Sequence, residues 1–119
     1  MSDAAELALA EEAIRHGLRT TGCCEWDDKE AERVRNDPSL QGLTPEYIRD
    51  RLCQFITVEG GSLQQVRETR PKYSYRTYWY KAVFPEPGFK HGIFVELELT
   101  EPDPQLPGVT IFNAHPQRS

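Results

Sequence analysis

No run in this 119-residue chain approaches the roughly 20 consecutive apolar residues that a membrane-crossing helix needs. The opening segment, MSDAAELALAEEA, is acidic and has no basic stretch ahead of an apolar one, so it does not read as a secretory leader. Cytoplasmic residence without a membrane role is the expectation. Cysteine is scarce: Cys23, Cys24 and Cys53 are an odd set, and two of them are adjacent, which is not a disulfide-framework spacing. Neighbouring thiols cannot readily chelate one metal as a CxxC pair can. The three therefore read as reduced, partly buried small hydrophobes, with a zinc site completed by His16 or His115 as the alternative; no metal or cofactor is expected. There is no phosphate-binding GxxxxGK[ST], no GxGxxG, no HExxH and no GxSxG, so no motif announces a chemistry. Excess positive charge is lacking too. The net charge of −5 and pI near 5.2 argue against a generic nucleic-acid binder.

A hydrophobic fraction of 38% with 10% aromatics supports an ordinary folded core, and the length suggests one domain, 1–119. Its charge is unevenly spread. Residues 1–64 carry a net −6, residues 65–90 a net +4, and residues 91–119 a net −3. The basic island coincides with the most aromatic stretch, YSYRTYWYKAVF (Tyr73–Phe84), whose rings and β-branched neighbours favour a long strand.

The N-terminal half (1–58) reads as mainly helical. Asp3 and Glu6 resemble a capping pair, and Leu7, Ala10, Ile14 and Leu18 recur at helical spacing, giving a helix over Asp3–Leu18. Asp27 or Asp28 caps a short charged helix to Arg35, stopped by Asn36-Asp37-Pro38. Thr44-Pro45-Glu46 opens a third, with cap, proline and acid in their favoured positions. Phe55–Val58 fits either a helix end or a strand start, before Gly60-Gly61.

Residues 62–115 read as antiparallel sheet: Ser62–Arg70, Tyr73–Phe84, His91–Thr100 and Gly108–His115, separated by proline-bearing turns. In His91–Thr100 the alternation of Ile93, Val95, Leu97 and Leu99 with Phe94, Glu96 and Glu98 predicts one buried and one open face. The expected fold is α+β, with two or three N-terminal helices packed on a four-stranded antiparallel sheet.

Several residue sets could carry chemistry. His115, at the end of the last strand, is a general acid–base candidate, and Asn113 shares its parity and could orient it. Both share parity with Val109 and Ile111, so a regular strand would aim them at the helices. His91 sits at a turn and reads as exposed. Arg67, Arg76 and Lys81 interleave with Tyr75, Tyr78 and Tyr80, a pattern that suits single-stranded nucleic acid; it equally suits a solvated sheet face whose cationic stems cover rings. Glu96 and Glu98 are spaced as paired carboxylates, or as cross-strand partners for Arg76 or Lys81.

The run GLTPEYIRDRLCQFITVEGGSLQQVRETR leading into YWYK, with helices first, a basic aromatic strand and a late histidine, resembles in layout the barnase-like superfamily of small RNase toxins, including RelE-type and colicin-type nucleases. The resemblance covers residues 44–115. It implies metal-independent cleavage of RNA phosphodiesters. His115 would act as acid/base, Arg76, Lys81 and Arg67 would hold the phosphate, Tyr78 or Tyr80 would stack a base, and Asn113 would line the site. From composition alone comes a reading of another class: a non-catalytic acidic interaction protein, of inhibitor or immunity type, that meets a basic protein partner by complementary charge. The two are separated by whether His115, Arg76 and Lys81 converge on one concave patch.

Overall fold

A computed structural model describes residues 2–118. The elements follow as α1 (Asp3–Gly17), β1 (Cys24–Trp26), α2 (Asp28–Arg35), α3 (Pro45–Thr57), β2 (Gln64–Arg67), β3 (Tyr78–Glu86), β4 (Phe89–Glu101) and β5 (Gly108–Pro116). The sheet has five strands in the order β1-β5-β4-β3-β2. Four of them form the expected antiparallel set, and the α+β layering holds. The correction is β1, which pairs parallel to β5 through Cys24–Val109, Glu25–Thr110 and Trp26–Ile111, so the sheet is mixed and five-stranded. Three residues are too few to show an alternating pattern, and their partner lies at the far end of the chain.

Local chemistry starts each helix. Ser2, rather than Asp3, caps α1, its hydroxyl accepting from the Ala5 amide at 3.2 Å. Asp27 caps α2 through Glu30 N, and Thr44 caps α3 through Tyr47 N, each at 3.1 Å. The ambiguous Phe55–Val58 stretch continues α3 to Thr57, because Ile48, Leu52 and Ile56 recur every four residues on the buried face. Both flanks of the basic island are shorter as strands than the sequence predicts: β2 ends at Arg67 and β3 begins only at Tyr78. Between them Pro71–Tyr73 makes a single 3-10 turn, since proline cannot donate to a ladder.

The odd-numbered residues of β4 face the helices as expected. Ile93, Val95 and Leu97 have no exposed surface and share one core with Tyr80 and Phe84 of β3, Val109 and Ile111 of β5, and Ile14, Ile48 and Leu52 of the helices. Burying each such aliphatic chain is worth about 1.5–3 kcal/mol. The β3–β4 hairpin turns at Pro87-Gly88, where Gly88 takes φ +88° and proline occupies the preceding corner. Gly92 is required more stringently: at φ +82°, any Cβ there would collide with the Phe84 carbonyl.

The irregularity that matters for function lies in β5. Leu97 pairs with Ile111 but Glu96 pairs with Asn113, leaving Phe112 unopposed as a bulge. Parity resets there. Ile111 and Ala114 both point into the core; Phe112 follows Ile111 onto the outer face, and the extra position brings Asn113 and His115 out as well, against the direction regular alternation predicts for those two.

Candidate functional site

Residues 68–77 leave the sheet and fold back as a strap across its outer face. The strap is closed at its base by the Glu68 amide donating to the Thr77 carbonyl at 2.8 Å. Its hub is the Glu68 carboxylate, whose side chain is 1% exposed. Glu68 Oε2 accepts from the Thr69 and Arg70 amides and from Arg70 Nε, while Oε1 accepts from Arg70 Nη2 and from Arg76 Nε at 2.8 Å. From this hub two arginines reach down to β4. Arg70 Nη2 donates to Glu96 Oε2 at 2.7 Å, and Arg76 Nη1 donates to Glu98 Oε2 at 2.5 Å, where the Tyr75 hydroxyl also donates at 3.0 Å.

Rings fill the gaps between the charges. The Arg76 guanidinium lies between Tyr73 and Phe112, 4.3 and 4.6 Å from their ring centroids, and its side chain is 8% exposed. Arg70 covers Tyr73 at 4.8 Å and Trp79 at 5.1 Å. Planar guanidinium suits both tasks at once, stacking on a face while its edge forks to carboxylates. Phe112 enters this lattice from the outer face of β5, one position past the buried Ile111. The bonds from Arg70 and Arg76 hold the Glu68 carboxyl down at about 2, far below the usual carboxylate range. The same bonds raise Arg70 further. Beside the lattice lies an open cleft of about 430 Å³, bordered on the far side by Asp27, Glu30 and Arg33 of the α2 region.

The residues singled out in the sequence are dispersed over this frame. Arg76 is inside the lattice. Lys81 is on the outer face of β3, opposite Glu96, but that carboxylate is taken by Arg70. Asn113 is on the outer face and accepts from Arg33 Nη2 at 2.6 Å, so α2 fixes its orientation. His115 stacks on Phe94, centroids 4.6 Å apart and planes 18° off parallel. Its Nδ1 lies 2.9 Å from the Pro116 carbonyl, which can only accept, so that nitrogen is the donor. Along β4, Phe94 beneath His115 is four residues from Glu98 beneath Arg76, about 13 Å at the usual strand rise of ~3.3 Å. Neither His115 nor Lys81 borders the cleft that Arg76 borders. Arg67 and Tyr78 form a cross-strand pair on the helix side of the sheet, the guanidinium 5.8 Å from the ring centroid. Tyr80 is wholly buried, its hydroxyl accepting from Gln65 Nε2 at 3.2 Å, and burial raises its pKa. The Glu96 side of β4, expected to be open, is roofed by the strap, and Glu96 is 5% exposed.

Sequence reasoning passed over Glu68, Arg70, Tyr73 and Phe112, the residues that organise the outer face. The available signal was Glu68 alone among bases and rings, an acid bracketed by Arg67 and Arg70.

The cysteines are all buried, and none forms a disulfide. The Cys24 thiol is pushed up by its hydrogen bond with Cys53 and by burial, and the Cys53 thiol is drawn down by the same bond and by Arg49. Arg49 also donates to the carbonyls of Gly17 and Cys24, at 2.5 and 2.7 Å, tying α3 to the end of α1 and to β1. Among the described residues no group of three or more His, Cys, Asp or Glu is placed to hold a metal ion, and no helix is long and apolar enough to cross a membrane. Compared with protein families, with curated proteins and with solved structures, the chain finds no match in any of the three.

Proposed function

We propose that this protein is a non-catalytic interaction module whose acidic helical half docks a basic protein partner, in the manner of a small inhibitor. The observation that carries the reading is the state of Arg76. Its guanidinium is ion-paired with Glu68 and Glu98 and enclosed between two rings; the nitrogen that makes no hydrogen bond, Nη2, is itself buried 2.6 Å from Glu68 Oε1, so no exposed edge is left to offer a phosphate. A group meant to gather charge developing at phosphorus must face the reacting atoms. Arg76 faces its own carboxylates. The acids of the helical half are, by contrast, at the surface. Glu25, Asp28, Glu32 and Glu46 rim a cleft between α2 and α3 that also holds Trp26 and is answered only by Arg35 and Arg49. Exposed charge of one sign accelerates encounter with a partner of the other sign and is screened by salt.

The test uses the purified chain with a lysine-rich peptide and, separately, with bulk RNA. The expected result is peptide binding whose association rate falls steeply with ionic strength and weakens in Glu32→Lys and Glu46→Lys, with RNA left intact. RNA cleavage that disappears in both His115→Ala and Arg76→Ala would reinstate the barnase-like nuclease reading and remove this one.

A further inference from the structure

The strap roofs only the half of the outer face that carries Glu96, Glu98 and Phe112. The strap does not reach the other half, toward the β3–β4 hairpin. There Lys81, Val83, Phe94 and His115 lie side by side on β3, β4 and β5, with Val83 38% exposed. Uncovered sheet faces are ordinarily wet and polar, and this one sets an exposed valine beside Lys81. Among the described residues Lys81 has no carboxylate partner, because Arg70 occupies Glu96 across the strand pair. Val83 also borders the shallow hollow that runs to Lys90 and His91, so the apolar centre is flanked by basic residues at both ends.

We propose that this unroofed half of the sheet is a docking surface for an acidic segment of a partner protein, one bearing an apolar side chain for Val83 and carboxylates for Lys81 and Lys90. Charge complementarity selects the occupant: Lys81 and Lys90, on either side of Val83, are cations that no carboxylate answers among the described residues, within a chain of net −5. A single-stranded nucleic acid fits it less well. Stacking a base needs a free ring face, and the faces here are in use. Phe94 lies parallel to His115, Trp79 meets Phe94 edge-on at 67°, and Arg70 lies over Trp79. A long polyanion would in addition be repelled by the acidic remainder of the protein. The surface is distinct from the acidic helical one, so each can fail without the other.

The experiment is a titration of the ¹⁵N-labelled full chain with a short synthetic peptide built only from Glu, Asp, Leu and Val, and with its counterpart in which Lys replaces the acids. The acidic peptide is expected to shift the amides of Lys81, Val83, Phe94 and His115, with affinity that falls as salt rises. Lys81→Glu should weaken it roughly tenfold or more, because it puts like charges together, and Val83→Ser should weaken it while leaving the spectrum of the free protein otherwise unchanged. The lysine peptide is expected to leave this face untouched and to report on the helical half instead. Absence of binding by the acidic peptide, shifts confined to the helices, or an oligouridylate that binds the same face more tightly than the peptide would overturn the proposal. So would sedimentation showing the face closed by a second copy of the chain.

Discussion

The two faces of the central sheet are covered by different physics. On the inner face, helices lay aliphatic and aromatic side chains against Ile93, Val95 and Leu97, and the attraction is non-directional, set by area and fit. On the outer face, ten residues of strap hold themselves down with Glu68, Arg70 and Arg76 against Glu96 and Glu98. That cover is directional. Each carboxylate is stabilised only while its particular donors are in place, and its burial becomes a liability when they are not. The inner face should therefore tolerate changes that conserve volume. The outer face should tolerate changes that remove a whole charge pair but not half of one.

The sharpest way to break the comparison is Glu68→Ala. It leaves Arg76 with Glu98 alone and Arg70 with Glu96 alone, and the loss of one partner from a buried ionic network is expected to cost about 3–5 kcal/mol in chemical denaturation. A similar or slightly smaller loss, about 2–5 kcal/mol, is expected for Leu97→Ala on the inner face, where a cavity replaces packed atoms. The two differ in their rescue. Leu97→Met should recover nearly all the stability, whereas on the outer face Arg76→Met combined with Glu98→Leu should be far less damaging than Arg76→Ala alone.

Acid separates the faces further. The Glu68 carboxyl titrates at about 2 in the folded protein, below its value of about 4.3 in an unfolded chain. Its contribution is therefore fully present above about pH 5 and lost progressively as pH falls toward 2. Stability measured across that window should decline in the wild type and decline less in Glu68→Gln, while Leu97→Ala should shift the curve without changing its slope. The smallest expected effect is Tyr75→Phe. It deletes one hydrogen bond to Glu98 from a side chain that is 69% exposed, and about 0.5 kcal/mol or less is anticipated.

Much of the inner face was legible in the chain itself. The Thr44-Pro45-Glu46 start of α3, the Asp27 cap of α2, the alternation along β4 and the turn at Pro87-Gly88 are written in residues a few positions apart, and each folds as local propensity dictates. The candidate site was not legible in this way. Arg76 and Lys81 stand out as cations on an aromatic stretch, but that Glu98 answers Arg76 while Arg70 takes Glu96 away from Lys81 depends on contacts 22 to 26 residues distant. Nor does anything within Gly108–Pro116 mark Phe112 as the bulged residue, yet that one extra position turns Asn113 and His115 from the core to the outer face.

What the amino-acid order determined by itself was the set of helices, four of the five strands and the side of β4 that would be buried, because caps, turns and hydrophobic periodicity act within one or two turns of backbone. Tertiary structure alone decided the parallel pairing of β1, the register shift in β5 and the folding of residues 68–77 into a strap. Those depend on which distant donors and acceptors meet, and a buried charge accepts whichever geometry completes its hydrogen bonds.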